Sequence, residues 1–533
     1  MKRKRVILLL TLTMLFGGCT KPSNGEIMDT NPKDTIVDST SSGIADSSVE
    51  AKSYEEMFTD RDLEVGYEES ECVSITMSGN TAVCGEESVQ IAENQITITA
   101  EGEYLLTGEF TGSIVVEAGE QEKVRLILDD VSVQNDGGAP IYLKQADKVF
   151  ITLANESNNT IKNTGEFEQI DENNIDGAIF AKCDLTLNGL GDLKIDSETG
   201  SGIVSKDDLV ITGGMYEIVS AKHGIEGKDS IRIANGNVEI ACVKDGLHSD
   251  NQDEGKGFVY IAGGNINITK SYEGMEAKVI EIAGGEISIV SGDDGLNAAS
   301  DNRQETVYIL ITGGKTTVRA EGDGLDSNGY LYVTGGEVYV SGPEKSGNGA
   351  LDYQYGGQIT GGIVLAAGSG GMAGNFGNTS TQGSILVNTQ TSYEAGTRIA
   401  LSAEGGEELI SYEPTAKFNS VVISCPEIEV GKNYVLTIGS DSQTIVMDEI
   451  IYGEGTGFGG KGQGGMHDRE EWGVKPGKGQ MPQDGQMPDG EIPQRPDWGD
   501  MPEKPDMENR PEMQEKPENQ NGLENENGKE DDL

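Results

Sequence analysis

Short apolar runs separated by turn-forming residues dominate the chain from about residue 70 to residue 450. The runs are rich in β-branched residues and are separated by Gly, Asn and Asp, which predicts β-strands. Amphipathic helical periodicity is almost absent. Four of the runs are QITITA (95–100), SIVVEA (113–118), KVRLILDD (123–130) and DKVFITLA (147–154). The sequence therefore predicts an all-β body.

One phrase of Gly, Asp and Asn returns along this body in altered form. It reads GDGLDSNG at 322–329, and its variants include GDDGLNAAS (292–300), KDGLHSDN (244–251) and KHGIEGK (222–228). A second marker, Gly-Gly or Asn-Gly, precedes the glycine of the phrase by 10 residues in five repeats, whereas the return step varies from 11 to 19 residues. A fixed half and a variable half indicate a coil whose turns stack in register, with loops that accept insertions.

The length of the repeat, about 24 residues on average, narrows the choice of coil. Rungs of about 21–29 residues suit a parallel β-helix with three short faces, and leucine-rich repeats share that length. The L-x-x-L-x-L-x-x-N frame of those repeats is missing. An antiparallel sandwich would not keep the 10-residue step five times. The predicted fold is an all-β parallel β-helix, followed by antiparallel strands that cap the coil or form a small β-domain.

The N-terminus predicts secretion. The basic MKRKR precedes the short apolar VILLLTLTML, and FGGC then resembles a lipoprotein cleavage site that would place lipid on Cys19. An ordinary signal peptide is the alternative. No later stretch is apolar for about 18 residues, so lipid would be the only anchor at the extracellular face of the bacterial membrane. The expected organisation is a signal peptide (1–19), a flexible tether (20–69), the β-helix (70–382), a C-terminal β cap (383–452) and a disordered acidic Gly/Pro/Met tail (453–533).

Charge and cysteine usage limit the partners. The chain has 39 basic and 91 acidic residues, for a net charge of −52, which argues against nucleic acid and favours cations. Cys72 and Cys84 flank a predicted hairpin and could pair in an oxidising exterior. No C-x-x-C motif occurs, and there are only 3 histidines, so a zinc site is not expected.

The residues around the repeated glycine suggest a metal site. Acidic side chains stand just before this glycine and two positions after it, and adjacent rungs of a β-helix lie about 4.8 Å apart. Carboxylates at that spacing repel one another unless they are protonated or bridged, and Ca²⁺ takes six to eight oxygen ligands. Solvated turn residues are the alternative. The predicted ligands, including some on two insertions, are Asp245, Asp250, Asp253, Glu273, Glu276, Asp293, Asp294, Asn297, Asp301, Asp323, Asp326 and Asp352.

A family resemblance rests on three parts of the body. These are EGEYLLTGEF and the strands that follow it (101–154), the VITGG…DGL repeats, and GDGLDSNGYLYVTGGEVYVSGP (322–343). Over about residues 70–450 the chain resembles a family of secreted proteins called carbohydrate-binding domain-containing. The resemblance implies a right-handed parallel β-helix that is similar to lyases of polysaccharide lyase family nine. It also implies binding of Ca²⁺, cellulose and acidic sugars.

Polysaccharide binding is the predicted function, with Ca²⁺ between the acidic protein and an acidic sugar. A pectate-type lyase is the first alternative, and a structural adhesin or spacer is the second. A lyase needs a base beside Ca²⁺; Lys228, Lys244 and Lys278 lie near the repeated phrase but form no recognisable constellation, so no catalytic residue is assigned. Tyrosines could stack on sugar rings or be ordinary strand residues. They are Tyr330, Tyr332, Tyr339, Tyr353 and Tyr355.

Overall fold

The computed structural model describes residues 49–169, 171–300 and 306–455. These residues form a parallel β-solenoid of about ten turns with almost no helix, which confirms the predicted fold class. The hand of the coil, which came from the resemblance, stays a prediction. The predicted signal peptide, residues 20–48 of the predicted tether and nearly all of the predicted acidic tail lie outside the described residues. Within the ranges described, no helix has the length and apolar character that crossing a bilayer requires.

Each turn of the solenoid contributes one strand to each of three faces. The corner face carries the repeated phrase, and its strands pair in parallel with the turn above and below, as Leu247 does with Ile225 and Met275. An antiparallel hairpin begins this face. Its strands are Val89–Ala92, Gln95–Ile98, Ser113–Glu117, Ile141–Gln145, Gly177–Ala181, Ser201–Ser205, Ile225–Gly227, Leu247–Ser249, Met275–Ala277, Leu296–Ala298, Leu325–Ser327 and Leu351–Tyr353.

The second and third faces follow the corner face along each turn. Near the N-terminus, two strands are long enough to belong to both faces, Gly102–Thr111 and Lys123–Asn135. The hairpin of Val73–Gly79 and Thr81–Val83 forms the N-terminal end of the solenoid.

We call the second face the strap face. Its strands are Lys148–Leu153, Asp184–Gly189, Asp208–Ile211, Ser230–Ile233, Phe258–Ile261, Val279–Ile282, Tyr308–Ile311, Tyr330–Val333 and Gly356–Ile359. We call the third the groove face. Its strands are Asn158–Asn163, Asp192–Ser197, Met215–Ser220, Asn237–Cys242, Asn265–Ser271, Glu286–Ser291, Lys315–Ala320, Glu337–Ser341 and Ile363–Gly368.

Two sets of glycines keep the turns in register for different reasons. The second-marker glycines have a positive φ, for example +90° at Gly285 and +76° at Gly336, where a side chain would be strained. The glycines of the repeated phrase have no such φ. Instead a Cβ at Gly274 would overlap the carbonyl of Gly295 and the side chain of Ile289. The residue after each phrase glycine is buried, as predicted, and stacks with its counterparts inside the coil.

Residues 49–69, which the sequence placed in the tether, pack against the strap face; we call them the strap. The strap contains the helical turns Tyr54–Met57 and Asp60–Leu63 and ends where the 3₁₀ turn Glu69–Glu71 begins. Phe58 is buried against Tyr260, with ring centroids 6.0 Å apart. Asp62 is also buried, and its carboxylate lies 2.7 Å from Lys148 Nζ. The structure thus extends the ordered body beyond the N-terminal boundary that the sequence predicted.

The C-terminal end of the solenoid is closed by antiparallel strands, in line with the expected cap. The last groove-face strand pairs antiparallel with Phe418–Ser424, which also pairs with Ser384–Tyr393. Ile451–Tyr452 adds a short parallel strand at this edge. A separate four-stranded sheet and a second hydrophobic core complete the cap. The strands of that sheet are Glu408–Tyr412, Ile399–Ala403, Asn433–Ile438 and Asp441–Val446.

The cysteines of the described residues are free thiols. Cys183, Cys242 and Cys425 are buried, as their positions in apolar strands predict. Cys72 and Cys84 flank the hairpin Val73–Val83 without forming a disulfide bond, and the Cys72 thiol lies near the carbonyl of Glu68.

Candidate functional site: the corner ladder

The repeated phrase builds two parallel columns of polar side chains along the corner face, which together we call the corner ladder. In the first column, the phrase glycines from Gly224 to Gly295 each donate the N–H to the carbonyl of the first-column residue in the next turn, as Gly246 does to Glu273. In the second column, parallel pairing sets the register. The first column is His223, Asp245, Glu273, Asp294 and Asp323. The second column is Glu226, His248, Glu276, Asn297, Asp326 and Asp352.

The two columns bring candidate ligand atoms together in three clusters. Within each cluster, the nitrogen or oxygen atoms lie within 4.8 Å of one another. The aspartate cluster is Asp294, Asp323 and Asp326; the glutamate cluster is Asp245, Glu273 and Glu276; and the histidine cluster is His223, Asp245 and His248. Asp245 belongs to both the histidine cluster and the glutamate cluster. These two clusters are therefore neighbours along the corner ladder and share one carboxylate.

The aspartate cluster holds carboxylates in an environment that opposes their charge. Asp323 donates its backbone N–H to Asp294 Oδ1 at 2.7 Å, and the Gly349 N–H binds the Asp323 carboxylate. Burial raises the pKa of Asp323 to about 7, and the carboxylates of Asp294 and Asp352 add to the rise against the opposing Gly349 hydrogen bond. Burial also raises the pKa of Asp352. A cation between these groups would relieve the repulsion.

In the glutamate cluster, burial and neighbouring carboxylates oppose ionisation more strongly than in the aspartate cluster. Glu273 is only 2% exposed. Burial raises its pKa to about 9, with Glu276 and Asp245 contributing further. Asn297 donates its Nδ2 to Glu273 Oε2 at 2.8 Å. The Oδ1 atom of Asn297 is buried without a hydrogen-bond partner, and this residue stands between Glu276 and Asp326 in the second column. A buried acceptor with no donor, among carboxylates, is what a bound cation would explain.

In the histidine cluster, the neighbours of the carboxylate are imidazoles rather than other carboxylates. Burial alone would raise the pKa of Asp245, but contacts with the imidazoles of His223 and His248 outweigh it and hold that pKa far below its usual range. The sequence did not single out these histidines as ligands. The signal was present nevertheless, because HGIEG and DGLHS place the two histidines at ladder positions of consecutive repeats.

Three predicted ligands lie beside the ladder rather than in a cluster. Asp250 is bound by Lys228 Nζ at 2.7 Å and is about half exposed. Asp253 is exposed on the insertion, where its carbonyl accepts from Lys278 Nζ at 2.8 Å. The Asp293 carboxylate lies close to that of Asp294, and a Cβ at Gly322 would overlap both. Asp301 lies outside the described residues.

The predicted sugar-binding tyrosines lie in three different places. Tyr330 and Tyr332 stack on the strap face with ring centroids 5.7 Å apart. Tyr355, at the bend between the corner and strap faces, is 58% exposed and packs beside Tyr330. Tyr339 packs against Tyr412 of the cap. Tyr353 leaves the candidate set, because it is buried and its hydroxyl donates to a backbone carbonyl.

A groove of about 520 Å³ crosses the groove face, away from the ladder. Its floor carries alternating amide, charged and aliphatic side chains over five turns, including Asn237, Glu239 and Asn267. Lys194 and Glu217 pair across two of these turns. Such a surface could bind sugar hydroxyls through hydrogen bonds, but it lacks a cluster of carboxylates. The groove and the densest group of buried polar side chains therefore lie on different faces, and the candidate site is the ladder, where Asn297 Oδ1 is buried without a hydrogen-bond partner.

Comparisons with known proteins identify the family of this chain. A family model described as "Carbohydrate-binding domain-containing protein" matches residues 92–279 and 278–420. The chain belongs to this family. A carbohydrate-binding domain-containing protein of Acetivibrio thermocellus is 34% identical over 131 residues, which cover 24% of this chain and 46% of that relative. The match therefore spans less than half of the relative's length.

A solved structure is also similar to this member of the family. It is described as the polysaccharide lyase-like protein from C. thermocellum, as a gadolinium derivative. The identity is 26%, and the alignment covers 49% of this chain and 96% of that chain with a TM-score of 0.40. The family resemblance that the sequence indicated is confirmed by the family model.

Proposed function

We propose that this chain binds polysaccharide, with Ca²⁺ held in the corner ladder as part of the binding surface. Membership of a carbohydrate-binding family supports the ligand class. The observation that carries the Ca²⁺ dependence is the unpaired, buried Asn297 Oδ1 between carboxylates of adjacent turns. Amide and carboxylate oxygens are the donors that Ca²⁺ prefers.

The aspartate and glutamate clusters would hold the Ca²⁺ ions. Their side chains offer only oxygen as a ligand atom, and the Asp245 carboxylate also faces the two imidazoles of the histidine cluster. Bound Ca²⁺ would supply a positive charge that an acidic sugar could approach, despite a net charge of −52 on the protein. Asp352 is the last residue of the second column, and Tyr355 follows it by three residues. The exposed ring of Tyr355 would lie at the edge of the corner ladder.

A polysaccharide pull-down tests this function. We expect the full chain to bind insoluble polygalacturonate in Ca²⁺ and to lose that binding in EDTA. Tyr355→Ala is expected to weaken binding with little effect on stability, since the ring is largely exposed, whereas Val430→Ala, at another exposed apolar side chain in the cap, serves as the control. Binding that persists in EDTA would contradict the Ca²⁺ bridge and favour the groove face. Absence of binding to both polygalacturonate and cellulose would favour a structural spacer.

The lyase alternative has a readout in the same experiment. Two lysines near the ladder are already engaged, because Lys228 binds Asp250 and Lys278 binds the carbonyl of Asp253. Lys244 is exposed beside Asp245 and would be the first candidate base. Release of unsaturated sugar products into the supernatant, and their loss in Lys244→Ala, would replace binding with cleavage as the function.

Lipid anchoring at the extracellular face of the membrane belongs to the same proposal. It rests on the sequence MKRKRVILLLTLTMLFGGC, which ends at the proposed lipid-bearing Cys19. We expect Cys19→Ser to move the chain from the membrane fraction to the soluble fraction of expressing cells. Equal membrane retention of the variant and the unaltered protein would contradict the anchor, and the unmodified mass of the N-terminal peptide would show that no lipid was attached.

A further inference from the structure

The histidine cluster differs from the rest of the corner ladder because two of its three groups carry nitrogen. His223 and Asp245 are 8% and 5% exposed. The His248 side chain is 15% exposed. The cluster therefore lies beneath the surface of the corner face, with an opening on the side of His248.

The geometry of the two imidazoles is unusual for a hydrogen-bonded pair. Their rings stack with centroids 4.3 Å apart and an angle of 30° between the planes. Both Nδ1 atoms lie 3.1 Å from the same oxygen, Oδ2 of Asp245. Neither Nδ1 forms a directed hydrogen bond, although both atoms are buried. Two buried nitrogens and one oxygen that converge without hydrogen bonding match the arrangement of ligands around an ion.

Further carboxylates surround this cluster. Glu276 Oε2 lies 3.1 Å from His248 Nδ1 and could serve as a fourth ligand. On the other side of the same ring, Asp250 Oδ2 lies 3.9 Å from His248 Nε2. A carboxylate that faces the second ring nitrogen is the usual means of orienting a metal-binding histidine.

We propose that His223, Asp245 and His248 form a site for a divalent transition metal ion of the Zn²⁺ class, adjacent to the Ca²⁺ sites and sharing the Asp245 carboxylate with the glutamate cluster. Imidazole nitrogen is a preferred ligand of Zn²⁺, Co²⁺ and Ni²⁺, whereas Ca²⁺ selects oxygen. Two histidines and a carboxylate also form a common protein ligand set for Zn²⁺. The ladder would thus change metal preference along its length, with nitrogen ligands at its N-terminal end and oxygen ligands at its C-terminal end.

The competing interpretation is an ion pair without metal. In that case protonated His223 and His248 would share Asp245 and balance its charge. Protonated imidazoles donate through both nitrogens, and metal binding requires the neutral ring. The two interpretations therefore differ in whether a metal can enter the cluster at neutral pH. The proposed metal site does not depend on polysaccharide binding, because metal binding to these three side chains can be measured without any sugar.

The test is metal titration of the full chain after treatment with a chelator. We expect one equivalent of Zn²⁺ to bind by calorimetry while the carboxylate clusters are saturated with Ca²⁺. His223→Asn and His248→Asn should each weaken that binding by at least about 100-fold, the upper end of what outer-sphere partners contribute. The chain's third histidine provides the matched control, and His467→Asn should leave binding unchanged. Asp294→Asn controls for the aspartate cluster, and Cys72→Ser/Cys84→Ser controls for the thiols.

Spectroscopy of the unaltered chain keeps the test independent of variant folding. Cu²⁺ bound in the cluster should give an electron paramagnetic resonance spectrum with coupling to two imidazole nitrogens. No Zn²⁺ binding in the presence of Ca²⁺ would overturn the proposal. So would Zn²⁺ binding that the histidine variants retain and Ca²⁺ displaces, because the ion would then occupy the carboxylate clusters. Coupling to no nitrogen, or to a single one, would overturn it as well.

Discussion

Asp323→Asn is expected to have opposite effects on stability without and with Ca²⁺. In the Ca²⁺-free chain, the ionised Asp323 carboxylate is opposed by burial and by the carboxylates of Asp294 and Asp352. Its neutralisation should raise the free energy of unfolding by about 1–3 kcal/mol at mildly alkaline pH. With Ca²⁺ at about 100 times its Kd, the unaltered chain should gain about 2.7 kcal/mol. The variant should lose most of that gain, because it lacks one charged ligand.

Urea unfolding in EDTA and in Ca²⁺ measures both effects on the same protein. Asp253→Asn is the matched control, since its carboxylate lies on the exposed insertion and outside the clusters. This control should leave the stability of both forms within about 0.5 kcal/mol of the unaltered chain. If Asp323→Asn destabilises the Ca²⁺-free chain, or if it keeps the full response to Ca²⁺, the aspartate cluster is not a cation site.

The stability of the Ca²⁺-free chain is expected to fall as pH rises, and its response to Ca²⁺ to grow. Folding raises the pKa of Glu273 to about 9 and that of Asp323 to about 7. The folded state then binds more protons than the unfolded state above their usual values of 4.5 and 3.8. The stability that these groups contribute is therefore present at low pH and is lost as pH rises through about 7 and then 9.

Ca²⁺ binding must displace the protons that these carboxyl groups hold. We expect the affinity to increase by about tenfold per pH unit for each proton displaced, until the group is ionised. Calorimetry at neutral pH in buffers of different ionisation enthalpy should show proton release, chiefly from Glu273. Glu273→Gln should reduce the number of protons released. Ca²⁺ binding that releases no proton at neutral pH would contradict the ionisation of Glu273 on metal binding.

The columns of the ladder were predictable because the sequence repeats a fixed distance. The 10-residue step places Glu276, Asn297 and Asp326 at equivalent positions of successive turns. Parallel strands pair in register only when such positions align, so these three side chains form one column. The burial of the apolar residue beside each phrase glycine follows from the same register. Periodicity thus determined which side chains share a column.

Other features depended on contacts that no repeat encodes. His223 and His248 meet diagonally, because they stand in different columns of consecutive turns. Asp250 and Asp253 lie on an insertion that the repeat does not place, where the Asp250 carboxylate pairs with Lys228 and the Asp253 carbonyl accepts from Lys278. Tyr353 and Tyr355 are two positions apart, yet only Tyr355 is exposed, because the chain bends between them and departs from strand alternation.

The strap was the least predictable element. Its sequence is short, charged and without an apolar period, so it matches the composition of a tether. Its order depends on partners far away in the chain, as in the ion pairs Lys52–Glu281 and Asp62–Lys148. Only the completed strap face presents these partners together.

The position of the strap has a consequence for how the molecule unfolds. In a solenoid each repeat contacts only its neighbours, so turns can fray one by one from either end. The strap instead joins turns that are not adjacent: Asp62 binds Thr186, Met57 accepts from Arg232, and Lys52 binds Glu281. Opening any of these turns would cost strap contacts as well as nearest-neighbour pairing. Unfolding of the spanned turns should therefore be cooperative, like that of a single globular domain.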